Sequence, residues 1–253
     1  MADRAADTVS PITDSSLPDK VSPADARAAG RFGHDKPTPG NSIILLIDHQ
    51  IGLLASCRDT TTAAELKSNV TGLARVAKAL DIPVLISSSN AQWQNGDTLP
   101  EIKELFPDTS IIRRTGIINA YEDPTFRAAF EKLVEDTGRR HIIIAGVTIG
   151  TCATFPTLSM RNDGYQVFPV IDACGAWNKY EVDAALARMV QAGAEPTTTF
   201  ALACELQEDW KHESANAMLE PFNHNLSEYG FVTQNFWNNV GGHVVPDPFG
   251  MAT

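Results

Sequence analysis

Residues 42–48, SIILLID, set five apolar residues in a row ahead of an aspartate. A continuous apolar run suits a strand buried on both faces, as in a parallel sheet covered by helices. Working outward, Ala63–Leu80 has helical spacing through Leu66, Val70, Leu73, Val76, Ala77 and Leu80. Ile82–Ser88 is a second strand, Leu99–Phe106 a short helix and Ile111–Arg114 a short strand. Pro124–Asp136 begins with proline in a plausible first turn and stops before Gly138, the pattern of a helix. His141–Val147, HIIIAGV, is another buried strand, followed by a helix at Thr151–Asp163. Tyr165–Ile171 is a strand whose Pro169 is awkward in a central position. A helix at Glu181–Ala192 and a last strand at Glu195–Ala201, EPTTTFA, complete the pattern. The alternation predicts an α/β fold of three layers, α/β/α, around about six mainly parallel strands with right-handed crossovers.

The chain has 253 residues, enough for one such domain at 41–210 and two arms. Residues 1–40 hold five of the 15 prolines and one aromatic, so they are expected to be a polar arm. Residues 211–253 carry six aromatics, Phe222, Tyr229, Phe231, Phe236, Trp237 and Phe249. That content favours docking on the domain or on a neighbouring subunit. The net charge of -11 argues against a nucleic-acid partner. No apolar run reaches the roughly 18 residues of a membrane span. The early Asp3 and Asp7, with no apolar leader, make the cytoplasm the default location.

Ligands of open α/β sheets bind beyond the carboxyl ends of the strands. That rule ranks Asp48, Ser89, Asn90, Arg114, Thr148 to Cys152, and Asp172 to Asn178. Asp48 is either a functional carboxylate in a dry setting or a cap for the next turn. Cys152 sits at the start of a helix, where a thiolate is favoured and nearby N–H groups can hold an oxyanion; the alternative is a small buried hydrophobe. Cys174 is a rival, while Cys57 and Cys204 have structural contexts. Either Arg113 or Arg114 can supply a cation. Trp93, Trp177 and Tyr180 lie on the same face, as pocket walls or as core. The six histidines form no ligand pattern, and no phosphate-binding glycine loop follows a strand.

Taken together, IILLIDHQIGLL, FPDTSIIRRTGIINAYED, IIIAGVTIGTCATFPTLSM and IDACGAWN resemble segments of the isochorismatase-like cysteine hydrolase superfamily. The last of these, with RMVQAGAEPTTTFALACELQEDW, resembles its YcaC-like branch. The resemblance implies a homo-oligomeric enzyme with Asp48 as general base, Cys152 as nucleophile and Arg114 in a cation position usually held by Lys. It implies a cis peptide at Val147–Thr148, with oxyanion donors in that turn at Thr148 and Cys152. Asn90, Trp93, Asn119, Phe155 and Trp177 would contact a small-molecule substrate. The zinc-binding branch has histidines after the second strand, where this chain reads SSSNAQWQNGD, so neither metal nor cofactor is expected. The implied reaction is hydrolysis of a small amide or related C–N bond through an acyl-thioester. Isochorismatase-type vinyl-ether hydrolysis and a non-catalytic, ligand-binding or redox-responsive role are the alternatives.

Overall fold

A computed structural model describes residues 34–58 and 60–240. Residues 1–36 and 37–253 separate as two units, and the architecture below belongs to the second. Most of the polar arm, together with Phe249, lies outside the described residues.

Five parallel strands form the sheet: β1 (Ser42–Ile47), β2 (Val84–Ser89), β3 (Ile111–Arg114), β4 (His141–Gly146) and β5 (Gln166–Pro169). Their order is β3-β2-β1-β4-β5. All six residues of β1 are buried, as its apolar run demands. Register sets Ile47 beside Ser87 on one side and Gly146 on the other, and Ser89 beside Arg114. The chain winds outward from β1 in one direction to β3 and in the other to β5. The right-handed crossovers therefore cover opposite faces of the sheet.

Nine helices accompany the sheet among the described residues: α1 (Ile51–Ala55), α2 (Ala63–Ala79), α3 (Pro100–Leu105), α4 (Pro124–Thr137), α5 (Thr154–Asn162), α6 (Lys179–Gln191), α7 (Thr199–Gln207), α8 (Ala215–His224) and α9 (Ser227–Val240). Local chemistry fixes their ends. Thr62 and Glu65 form a reciprocal capping box on α2. Asp123 caps α4, and Gly138 closes it at φ 68°.

Two expectations fail. The sixth strand at Glu195–Ala201 is only a parallel bridge, Val170 to Thr197. Glu195 N–H donates to the Val167 carbonyl and Thr197 N–H to that of Pro169. Pro169 has no N–H to donate back to the Glu195 carbonyl, so the ladder is interrupted there and resumes only as the single bond from Ile171 N–H to the Thr197 carbonyl. The following residues enter α7, whose first turn is held by Thr198 and by the Asp172 carboxylate, which accepts from Thr199 N and Oγ1. The helix expected at Thr151–Asp163 is divided as well: a π-helical turn, Ile149–Ala153, precedes α5.

The aromatic C-terminal residues join the domain in part. Phe222 is 1% exposed and meets Trp210, Phe200 and Tyr229 at centroid separations of 5.0, 5.9 and 5.2 Å. Phe231 is exposed. Phe222→Ala should lower unfolding stability by about 3 kcal/mol, the usual cost of truncating a buried aromatic. Urea denaturation should still show one transition; a separate early transition for the C-terminal helices would refute their docking.

Candidate active site

The strand ends converge at the carboxyl edge of the sheet. Asp48 follows β1 directly and takes φ 60°, a left-handed conformation more accessible to Asp than to most residues. Its N–H donates to the Ser87 carbonyl (3.0 Å), and Ser87 Oγ donates to Asp48 Oδ1 (3.2 Å). Arg114, the last residue of β3, reaches across β2 and donates from Nη2 to Asp48 Oδ2. Arg114 Nη1 is steadied by the carbonyls of Ile117 (2.6 Å) and Ile118 (3.3 Å). Asp48 is fully buried and Arg114 nearly so. Arg113 points elsewhere, lying exposed 3.6 Å from Asp97. Arg114 is therefore the cation at the carboxylate.

On the other flank, β4 ends at Gly146 and leads into the turn that carries Cys152. The Val147–Thr148 peptide is cis. Gly146 accommodates the turn: a Cβ there would lie 3.0 Å from Ala153 N and Cys152 C. Thr151 Oγ1 donates to Cys152 Sγ (3.6 Å). Burial pushes the Cys152 thiol well above the usual range, and the negative Asp48 carboxylate adds to the shift, as does its hydrogen bond with the thiol. The Thr151 hydroxyl and the Arg114 charge oppose it. The expectation of a thiolate at a helix start is thus corrected: in the resting site the protonated thiol is favoured, with a carboxylate within reach.

Cys174 is buried, accepts from Gly146 N–H at 3.4 Å and is pushed up to about 12, mainly by burial. Cys57 is pushed up to about 11 by burial and by the Glu181 charge. Neither thiol has the Asp48 carboxylate beside it.

The residues expected at the substrate divide into groups. Asn119 and Phe155 line a cavity of about 530 Å³ with Ile117, Ile118, Leu158 and Ser159. Its lining omits Asp48, Arg114 and Cys152, although the carbonyls that hold Arg114 belong to its wall. Asn119 is occupied structurally: its amide donates to Glu122 and Ser159 and accepts from Tyr121 N–H. Asn90 takes φ 45° beyond β2, where its N–H donates to the Arg114 carbonyl. Trp93 and Trp177, 68% and 48% exposed, stand on the loops after β2 and β5. Among the described residues, no three His, Cys, Asp or Glu side chains are grouped to hold a metal ion.

A carboxylate, a cation and a cysteine thus stand after three strands of an α/β/α fold, and comparison with known proteins names its class. The chain belongs to the isochorismatase family, whose domain matches residues 42–200. It falls in the YcaC-like branch and is an isochorismatase-family hydrolase. It is 38% identical to "Probable hydrolase YcaC" of Escherichia coli over 189 residues, 75% of this chain and 88% of the relative. The structure of YcaC from Pseudomonas aeruginosa, solved with hexane-2,5-diol and covalent acrylamide, matches with a TM-score of 0.74 at 38% identity. That match covers 81% of this chain and 99% of the other. The Escherichia coli YcaC structure, an octameric hydrolase of unknown specificity, matches with a TM-score of 0.75 at 35% identity, covering 81% and 98%.

Three site neighbours escaped the sequence reading. Ser87 was hidden inside a strand. Gln50 donates to the carbonyls of Ser89 and Gly96 and accepts from Ser89 N–H, tying the loop after β2 to the start of α1. His49 bonds the Ala173 carbonyl through Nε2 at 2.9 Å, and its buried Nδ1 has no hydrogen-bond partner. Burial lowers its pKa from 6.5 to about 4, against the opposing pull of the Ala173 carbonyl and the Asp48 charge. A depressed histidine stabilises the fold above its unfolded pKa, and that contribution is lost as pH falls through the folded value. Between neutral pH and about pH 4, wild type should lose roughly 3 kcal/mol more unfolding free energy than His49→Gln. Urea titrations at both pH values measure this; equal losses would remove His49 as the acid-sensitive group.

Proposed function

We propose that the protein is a metal-independent cysteine hydrolase of small amides or related C–N bonds, working through an acyl-thioester. The observation that carries the reading is the Asp48 carboxylate, buried in its pair with Arg114 and close enough to shift the Cys152 thiol. A protonated thiol is a poor nucleophile and needs a base at the moment of attack. Asp48 accepts the thiol proton as sulfur bonds to the substrate carbonyl carbon. Arg114 remains charged throughout and holds the carboxylate by hydrogen bonds rather than by giving up a proton.

Attack places negative charge on the carbonyl oxygen. The N–H groups of Ile149, Gly150, Thr151 and Ala153 already have acceptors in the Gly175 carbonyl, Glu181 and the Thr148 carbonyl. The family resemblance implies Thr148 and Cys152 N–H as the donors to this oxyanion. As the C–N bond breaks, the proton on Asp48 passes to the departing amine. Asp48 then takes a proton from water, hydroxide adds to the thioester, and collapse returns the Cys152 thiol and a carboxylic acid.

The covalent acrylamide in the Pseudomonas aeruginosa relative supports a reactive nucleophile in this branch, since acrylamide alkylates thiols. The octamer of the Escherichia coli relative supports assembly of this chain with copies of itself. Trp93, Ile118 and Trp177, exposed around the site, are the side chains such copies and the substrate would cover.

The test joins a panel of small amides and carbamates with acrylamide mapping by mass spectrometry. Cys152 should take acrylamide ahead of Cys57, Cys174 and Cys204, at a rate that climbs with pH because its thiol is held above the ordinary range. Cys152→Ala should abolish amide turnover, and Asp48→Asn should reduce it by about 100-fold or more. Prior labelling of another cysteine, or turnover that survives Cys152→Ala, would overturn the mechanism; isochorismate turnover in that variant would favour vinyl-ether hydrolysis.

A further inference from the structure

Glu181, in the first turn of α6, projects back toward the turn that holds Cys152. Its Oε1 accepts from Gly150 N–H at 3.2 Å and its Oε2 from Trp177 N–H at 2.8 Å. Its own backbone N–H is held by Asn178 Oδ1 at 2.9 Å, which fixes the base of the side chain. One carboxylate thus ties the Cys152 turn to the Trp177 loop. The fit is close: a Cβ on Gly150 would lie 2.7 Å from Glu181 Cγ and 2.8 Å from Oε1. The same loop is joined to the turn a second time, through Ile149 N–H and the Gly175 carbonyl at 2.7 Å.

We infer that Glu181 is a positioning residue that locks the Cys152 turn to the Trp177 loop, so that the placement of this loop governs the reactivity of the nucleophile. The inference rests on the cysteine-hydrolase reading and adds to it a residue outside the reacting groups. A carboxylate is needed because both partners are N–H donors. An amide oxygen can keep one of them, but the amide N–H₂ then faces the other donor. The Glu181 charge also reaches the Cys57 thiol on the far side of the loop and helps to hold it protonated. The two thiols therefore respond to Glu181 by different routes, Cys152 through geometry and Cys57 through charge.

The test is acrylamide labelling of the full chain at one fixed pH, with adducts counted separately on Cys152 and Cys57. In wild type, labelling led by Cys152 checks the underlying mechanism, and failure of that arm counts against the mechanism itself. Glu181→Gln should slow Cys152 by about tenfold, the scale of one lost charge-assisted hydrogen bond, and speed Cys57. Gly150→Ala, which crowds the carboxylate away, should slow Cys152 comparably, and the double variant should be no slower than either single one. General loosening of the fold would speed both thiols together. That outcome, unchanged Cys152 labelling, or additive effects in the double variant would each overturn the assignment.

Discussion

The ion pair of Asp48 and Arg114 is the constraint around which the rest of the site is organised. Two full charges removed from water are tolerated only when each satisfies the other and the remaining hydrogen-bonding positions are filled. The sheet supplies most of these conditions, leaving only the buried Arg114 Nε of the guanidinium without a hydrogen-bond partner. Asp48 extends from the central strand and Arg114 from the edge strand two places away, with Ser87 between them as a further donor. The carbonyls of Ile117 and Ile118 take the other guanidinium nitrogen, and this draws the loop after β3 back over the strand ends. One electrostatic requirement thereby shapes a loop that also walls the adjacent cavity.

The nucleophile side follows a different logic. Cys152 is placed by backbone packing, with Gly146 below its turn and Glu181 behind it. Its thiol is held protonated by burial and by the same carboxylate proposed to deprotonate it. Under the proposed mechanism such a site keeps its reactive form scarce at rest, and nucleophile activation becomes part of the catalytic step. The cost is dependence on placement, because sulfur and carboxylate must remain within proton-transfer distance.

Much of this was legible in the sequence. The apolar runs SIILLID and HIIIAGV located the two central strands, and residues after strands pointed to Asp48, Arg114 and Cys152. What was missed depended on distant partners. TTTF in EPTTTFA has the β-branched and aromatic character of a strand. It becomes the start of α7 because Asp172, far back in the chain, holds Thr199. Tyr229 and Phe236, seven residues apart, fall on one helix, α9, while Phe222 belongs to α8, so the aromatic content of the segment was legible but its division into two helices was not. Glu181 was disguised for a local reason: at the third position of a helix after Asn178 it resembles an ordinary capping residue, while its carboxylate serves two other segments. Cys152 lies in the turn after β4 as expected, but burial first and the Asp48 charge second outweigh the helix-end electrostatics that favour a thiolate.

The strand order also has a temporal meaning. β1, β2 and β3 leave the ribosome before β4, so the first half of the chain can bring the carboxylate and guanidinium together with no nucleophile present. Cys152 arrives later on the far side of β1 and meets Asp48 only when β4 pairs with that central strand. For the proposed mechanism, the topology thus ties the meeting of carboxylate and thiol to the pairing of β4 with the central strand.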